Sequence, residues 1–248
     1  MMKNGFVFAI IFSTAWLSAG WSTVNEGAFP KEPQTFVSVA AEPNEDVECF
    51  INENVDESLL PSPPLDRELR IAEVVDVWTM FFDDQGAKKD DPRREKFQEY
   101  ATYVVNAADV VKDKLHDYKN MHILVATLIT LESSVTAGLV GKRGEVGLMQ
   151  TWGVALNGVK PEEVHKDPNL GIVLGVNFLV KLAEEHCPGT VYDHDWTGAV
   201  SVYGSGPNGL TKDGKCKIFP FAKERVMLAQ RYHYRIHEAH NDLKNLVY

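Results

Sequence analysis

Three cysteines in 248 residues are too few for a scaffold built on disulfides. A basic excess is missing as well: 25 Lys and Arg stand against 35 Asp and Glu, a formal net charge of −10. Without a broad positive field to gather phosphates, no role on DNA or RNA is expected. Long apolar runs are scarce. The one from Gly5 to about Leu17 falls short of the roughly 20 residues a spanning helix needs, which argues against a polytopic membrane protein. Few windows alternate with period two, so a mainly α body is expected. What the chain does have is 44% hydrophobic and 24% charged residues. Those values suit a globular protein with a buried core and argue against a disordered or collagen-like chain.

The N-terminus combines Lys3, the apolar run and the small residues Ser18, Ala19 and Gly20. That is the pattern of a secretory signal over residues 1–20, with cleavage expected after Gly20. An uncleaved membrane anchor is the alternative. Residues 21–64 hold six of the twelve prolines, nine Asp or Glu and one Lys. Such an acidic, Pro-rich stretch buries too little surface to offset its ordering entropy, so it reads as a tether. A short apolar patch at 36–41 stands out within it. The expected location is therefore the periplasm or cell envelope.

From Asp66 the apolar period becomes helical. Leu69, Ile71, Val74, Val75, Val77 and Trp78 predict one helix ending near Gly86. Asp91-Pro92 predicts a capped start for a second, running to about Tyr118. Residues 121–132 are apolar nearly all round, as in a central buried helix. A short helix is expected over 147–156, and another from Asp167-Pro168 to Cys187-Pro188-Gly189. A short one follows over 195–203, and a long one over 220–246. The domain plan is a signal (1–20), a tether (21–64), an N-terminal helical extension (65–118) and a catalytic domain (119–248).

Glu132 closes the apolar helix and is followed by Ser133-Ser134. Acidic residues are rarely buried without a reason. An apolar surround disfavours the charged form of a carboxyl, and the negative end of a helix acts in the same sense. A carboxylic acid that keeps its proton is what a glycosidic leaving oxygen requires. The alternative is an exposed Glu that merely ends the last turn.

After Glu132-Ser133 come a loop at 137–146 and then Gly147-Leu148-Met149-Gln150. Asp167-Pro168-Asn169-Leu170-Gly171 and Gly175-Val176-Asn177-Phe178-Leu179 follow. Tyr203-Gly204-Ser205-Gly206-Pro207 comes last. In this order the motifs resemble the soluble lytic transglycosylase (SLT) domain, a family related to goose-type lysozymes, over about residues 115–235. The resemblance implies a mainly α, lysozyme-like fold that cuts the MurNAc–GlcNAc β-1,4 bond of peptidoglycan without a cofactor. It implies that Glu132 is the single catalytic acid and base. Ser133, Met149, Gln150 and Tyr203 would bind substrate, with Tyr203 near the carboxylate. Met149 reads equally as core packing.

The chain departs from the family pattern at Gly141-Lys142-Arg143-Gly144-Glu145, at Thr151-Trp152, and at Gly204, where the family has a sugar-binding Asn. Glu145 is either a solvated loop charge or a second carboxyl that holds water. The partner expected is peptidoglycan glycan strands, in free action or within an envelope or secretion machinery. Rival readings are a hydrolytic muramidase of the same fold and an inactive peptidoglycan-binding part of an envelope-spanning or phage machine.

His233, His237 and His240 share the last helix, but His237-Glu238-Ala239-His240 is one residue short of a His-Glu-x-x-His site, and no metal is expected. Cys49, Cys187 and Cys216 allow three pairings. In an oxidising compartment Cys187 and Cys216 are expected to pair.

Overall fold

The computed structural model describes residues 67–116 and 118–246, with side chains as far as 239. The expected signal, the tether, the apolar patch at 36–41 and Cys49 lie outside the described residues.

Helix α1 (Arg67–Asp84) buries Ile71, Val74, Val77, Trp78 and Phe82, while Leu69 and Val75 lie half-buried at the edge of the stripe. It stops at Gly86, whose φ of +68° suits glycine. Asp91 caps the next segment by accepting from the Arg93 amide at 3.0 Å, with Pro92 following. The Arg93 side chain also grips the Asp91 carboxylate and lowers its pKa to about 2. Residues Pro92–Lys96 wind as a 3-10 turn before α2 (Phe97–Val110) begins. That helix ends earlier than Tyr118. Val110 points into solvent, Lys112–Lys114 form a second 3-10 turn, and His116 turns left-handed at φ 43°.

Helix α3 (Met121–Ser133) is the predicted central helix, buried without a break from Met121 to Thr130. Its two interior threonines return their hydroxyls to the helix, Thr127 to the Ile123 carbonyl and Thr130 to that of Thr127. The Trp78 indole donates to the Ala126 carbonyl at 3.0 Å. Ser134 and Val135 then both take left-handed conformations (φ 49° and 58°), which ends the helix sharply. A β-branched residue pays a steric cost there, and Val135 is held in place by burial.

The helix expected over 147–156 does not form as one piece. Gly147, Gln150 and Gly153 all have positive φ, which breaks the winding, and only Gly153–Leu156 makes a 3-10 turn. Val146 instead pairs with Val140 and with Thr151 in isolated antiparallel bridges. A short helix that the sequence did not signal, α4 (Pro161–Lys166), precedes α5 (Pro168–His186). Asp167 caps α5 by accepting from the Leu170 amide at 3.1 Å. Gly175 lets Met149 plug into the face of α5: a Cβ there would lie 2.5 Å from the Met149 sulfur. Next come α6 (Thr190–Asp193), α7 (Thr197–Ser205) and α8 (Pro220–Leu246).

Side chains from α1, α2, α3, α5, α7 and α8 form one core with α3 inside it. The first two helices therefore share the core of the helices that follow. Among the described residues, extended pairing is limited to isolated bridges.

Candidate active site

The last turn of α3 carries Glu132 to the edge of the core. Its side chain is 19% exposed, and it forms an ion pair with Arg225 of α8, which is 21% exposed. The apolar enclosure suggested by the helix pattern is thus opened on one side by a guanidinium. Arg225 also lies over the Phe221 ring, 5.0 Å from its centroid. Gly204 makes room for this arrangement. A Cβ on Gly204 would come within 2.8 Å of the Phe221 ring and 3.3 Å of an Arg225 nitrogen. The departure at Gly204 therefore has a local cause: the space is taken by two side chains from α8.

Tyr203, one residue earlier on α7, donates its hydroxyl to the Met149 carbonyl at 2.7 Å. Burial pushes its pKa well above the ordinary range, and the negative charge of Glu132 pushes the same way against the opposing charge of Arg225. Tyr203 is therefore a neutral donor at physiological pH. Its electrostatic coupling to Glu132 and Arg225 puts all three at one place.

The other expected residues are used differently. Ser133 is buried and donates to the Ile129 carbonyl at 3.1 Å, within its own helix. The Met149 side chain is fully buried against α5, so it forms core and its carbonyl serves the site. Gln150 is partly exposed, and its amide holds the preceding loop through the Leu139 and Gly147 carbonyls at 3.2 and 2.9 Å. The Glu145 carboxylate accepts from the Arg143 amide at 2.8 Å, inside the same loop. One carboxyl, one neutral phenol and one guanidinium thus converge at the end of α3. Such a set can move a proton at Glu132 and place fixed charge beside it.

A family model for the transglycosylase SLT domain matches residues 109–218. The chain carries a transglycosylase SLT domain. Comparison with curated proteins and with solved structures returned no match. The mainly α, lysozyme-like fold agrees with the SLT match, and the match supports a peptidoglycan-acting function of lytic transglycosylase type. Glu132, Ser133, Glu145, Met149, Gln150, Tyr203 and Gly204 fall within the SLT match. Arg225 and Phe221 lie beyond it, so the ion pair of Glu132 joins the matched segment to a helix outside it. Sequence reasoning missed Arg225. The one signal pointing toward it was the glycine at 204.

Two further features involve the cysteines and histidines of the sequence. Cys187 and Cys216 form the expected disulfide, with Cα atoms 5.3 Å apart, tying the end of α5 to the segment before α8. At the opposite end of α3, His122 hydrogen-bonds Glu73 of α1 at 2.7 Å, and each is only 1% exposed. The imidazole of His237 lies 3.7 Å from the other Glu73 oxygen, with the His233 ring 4.3 Å from that of His237. Burial raises the pKa of Glu73, but the His122 hydrogen bond and the nearby imidazoles outweigh it and leave the carboxyl below its ordinary value. The His240 side chain lies outside the described residues. Among those described, no group of three or more His, Cys, Asp or Glu side chains is arranged to hold a metal ion.

Proposed function

We propose that the protein is an exported lytic transglycosylase that cuts the MurNAc–GlcNAc β-1,4 bond and leaves a 1,6-anhydro end on the muramyl sugar. The observation that carries this reading is the part-buried Glu132, beside the neutral Tyr203, within an SLT match. In its protonated form Glu132 gives a proton to the glycosidic oxygen as the bond from C1 to that oxygen breaks. The carboxylate left behind takes the proton of the same sugar's 6-hydroxyl, whose oxygen closes onto C1. No water is consumed. An internal nucleophile gains from proximity, so a second carboxyl is not required to position water. Tyr203 helps fix the site through the Met149 carbonyl and stays protonated throughout. Gln150 holds the loop before it through the Leu139 and Gly147 carbonyls.

Export rests on the N-terminal pattern and is supported by the Cys187–Cys216 disulfide, a bond that persists in oxidising compartments. The test is mass analysis of the products released from purified sacculi. Anhydro ends are expected. Reducing ends would replace the reading with a hydrolytic muramidase, and no products at all would leave a glycan-binding protein.

A further inference from the structure

We propose that Arg225 is a specificity-determining residue, which takes a carboxylate of the bound glycan and so releases Glu132 from its ion pair. The inference rests on the lytic transglycosylase reading. Glu132 must carry a proton to act as the acid. A protonated carboxyl has no charge to pair with a guanidinium, so the ion pair and the acid are exclusive states of one side chain. The free protein is in the first state, with Arg225 and Glu132 joined. When Glu132 takes up its proton, a largely buried cation loses its partner, and that is costly unless another anion replaces it.

The position of Arg225 favours such an exchange. One face of the guanidinium rests on Phe221, and Gly204 leaves the space it occupies. Where the SLT pattern offers a neutral amide to a sugar, this chain brings a fixed positive charge from a different helix. A planar guanidinium recognises carboxylates by paired hydrogen bonds. Peptidoglycan strands carry carboxylates, whereas neutral amino-sugar polymers do not. The carboxylate comes from one of two sources, the peptide stem or the lactyl group exposed when the stem is removed.

The test compares three substrates: glycan strands with stems, strands stripped of stems by an amidase, and strands whose carboxylates are capped as methylamides. For the wild type, capping should lower kcat/KM by about 10- to 100-fold, the worth of a hydrogen bond to a charged group. Arg225→Gln should lose this preference, and Arg225→Lys, which keeps the charge without the fork, should keep part of it. Activity that follows the stems assigns the stem carboxylate; activity retained on stripped strands assigns the lactyl group.

A binding arm needs no turnover. Glu132→Gln frees Arg225 and should bind uncapped strands about 10-fold more tightly than Glu132→Gln/Arg225→Gln in calorimetry, with no difference on capped strands. Arg225→Gln that still discriminates, or equal binding by the single and double variants, overturns the inference. A wild type that yields no products, while the binding difference persists, rejects the lytic reading and leaves the carboxylate recognition standing.

Discussion

The two ends of α3 each set an acidic side chain against a basic one, and α8 contributes to both. At the first turn His122 meets Glu73, with about 1% of either side chain exposed, and His237 of α8 stands near. At the last turn Glu132 meets Arg225 of α8, with about a fifth of each exposed. The inner pair is sealed among helices, with both side chains almost wholly buried. The outer pair opens to solvent, and its partner can be exchanged. Burial thus separates a pair that holds the fold together from a pair that can do chemistry.

The largest effect should come from breaking the outer pair at its acid. Glu132→Gln keeps the shape but cannot carry the proton. Release of products from sacculi should fall by at least 10² to 10⁴-fold, the usual range for losing a general acid. Stability should fall by about 1–3 kcal/mol, since Arg225 is left four-fifths buried without its anion. Near wild-type turnover would refute the mechanism.

Breaking the inner pair should do the reverse. Glu73→Ala leaves its buried partner unmatched and should cost about 3–5 kcal/mol in urea unfolding. Activity per folded molecule should be retained. This pair also sets a pH dependence. Glu73 is held below its usual value of 4.5, so its contribution is present above that pH and is lost as pH falls through the lower native value. His233 is held below 6.5, chiefly by burial, so its protonation also favours the unfolded chain. The urea midpoint should therefore drop from pH 7 to pH 4, and less so in Glu73→Gln. A flat profile in the wild type would show that the inner pair is not linked to stability.

The disulfide sharpens the comparison because it ties the segment leading into α8 to the end of α5. Replacing both Cys187 and Cys216 by Ser opens a link spanning 29 positions, and the chain-entropy account puts the loss at about 3.5 kcal/mol. Calorimetric melting under oxidising conditions measures it; an unchanged melt would mean that packing alone seats this region. The smallest expected effect is a gain. Ser134 is exposed and left-handed at φ 49°, so Ser134→Gly should add about 0.5–1 kcal/mol without altering turnover.

The long helices were legible because each carried a strong local signal. For α1 it was the stripe from Leu69 to Trp78, for α5 the Asp167-Pro168 cap, and for α3 the unbroken apolar run. Helices α4 and α6 span six and four residues, too few for an apolar period to show. The segment around Gly147 and Gln150 was misread because positive φ at a non-glycine leaves little trace in composition. In the site, Glu132 and Tyr203 could be found from motif order. Ser133 and Met149 could not be assigned that way, because which way a side chain turns depends on the packing of neighbouring helices. Arg225 was out of reach because only the return of α8 across the space beside Gly204 brings it to Glu132.

A helix buried on every side has no greasy face to tell it how far to rotate about its own axis. Turning α3 by one residue would swing Glu132 through about 100° and still leave apolar groups against apolar groups. Its angular setting must come from its few directional contacts: the Trp78 indole on the Ala126 carbonyl, His122 on Glu73, and the left-handed stop at Ser134. These act as an index mark. An insertion of one residue between Ala126 and Glu132 would keep the core's oiliness intact and aim the carboxyl at the wrong wall.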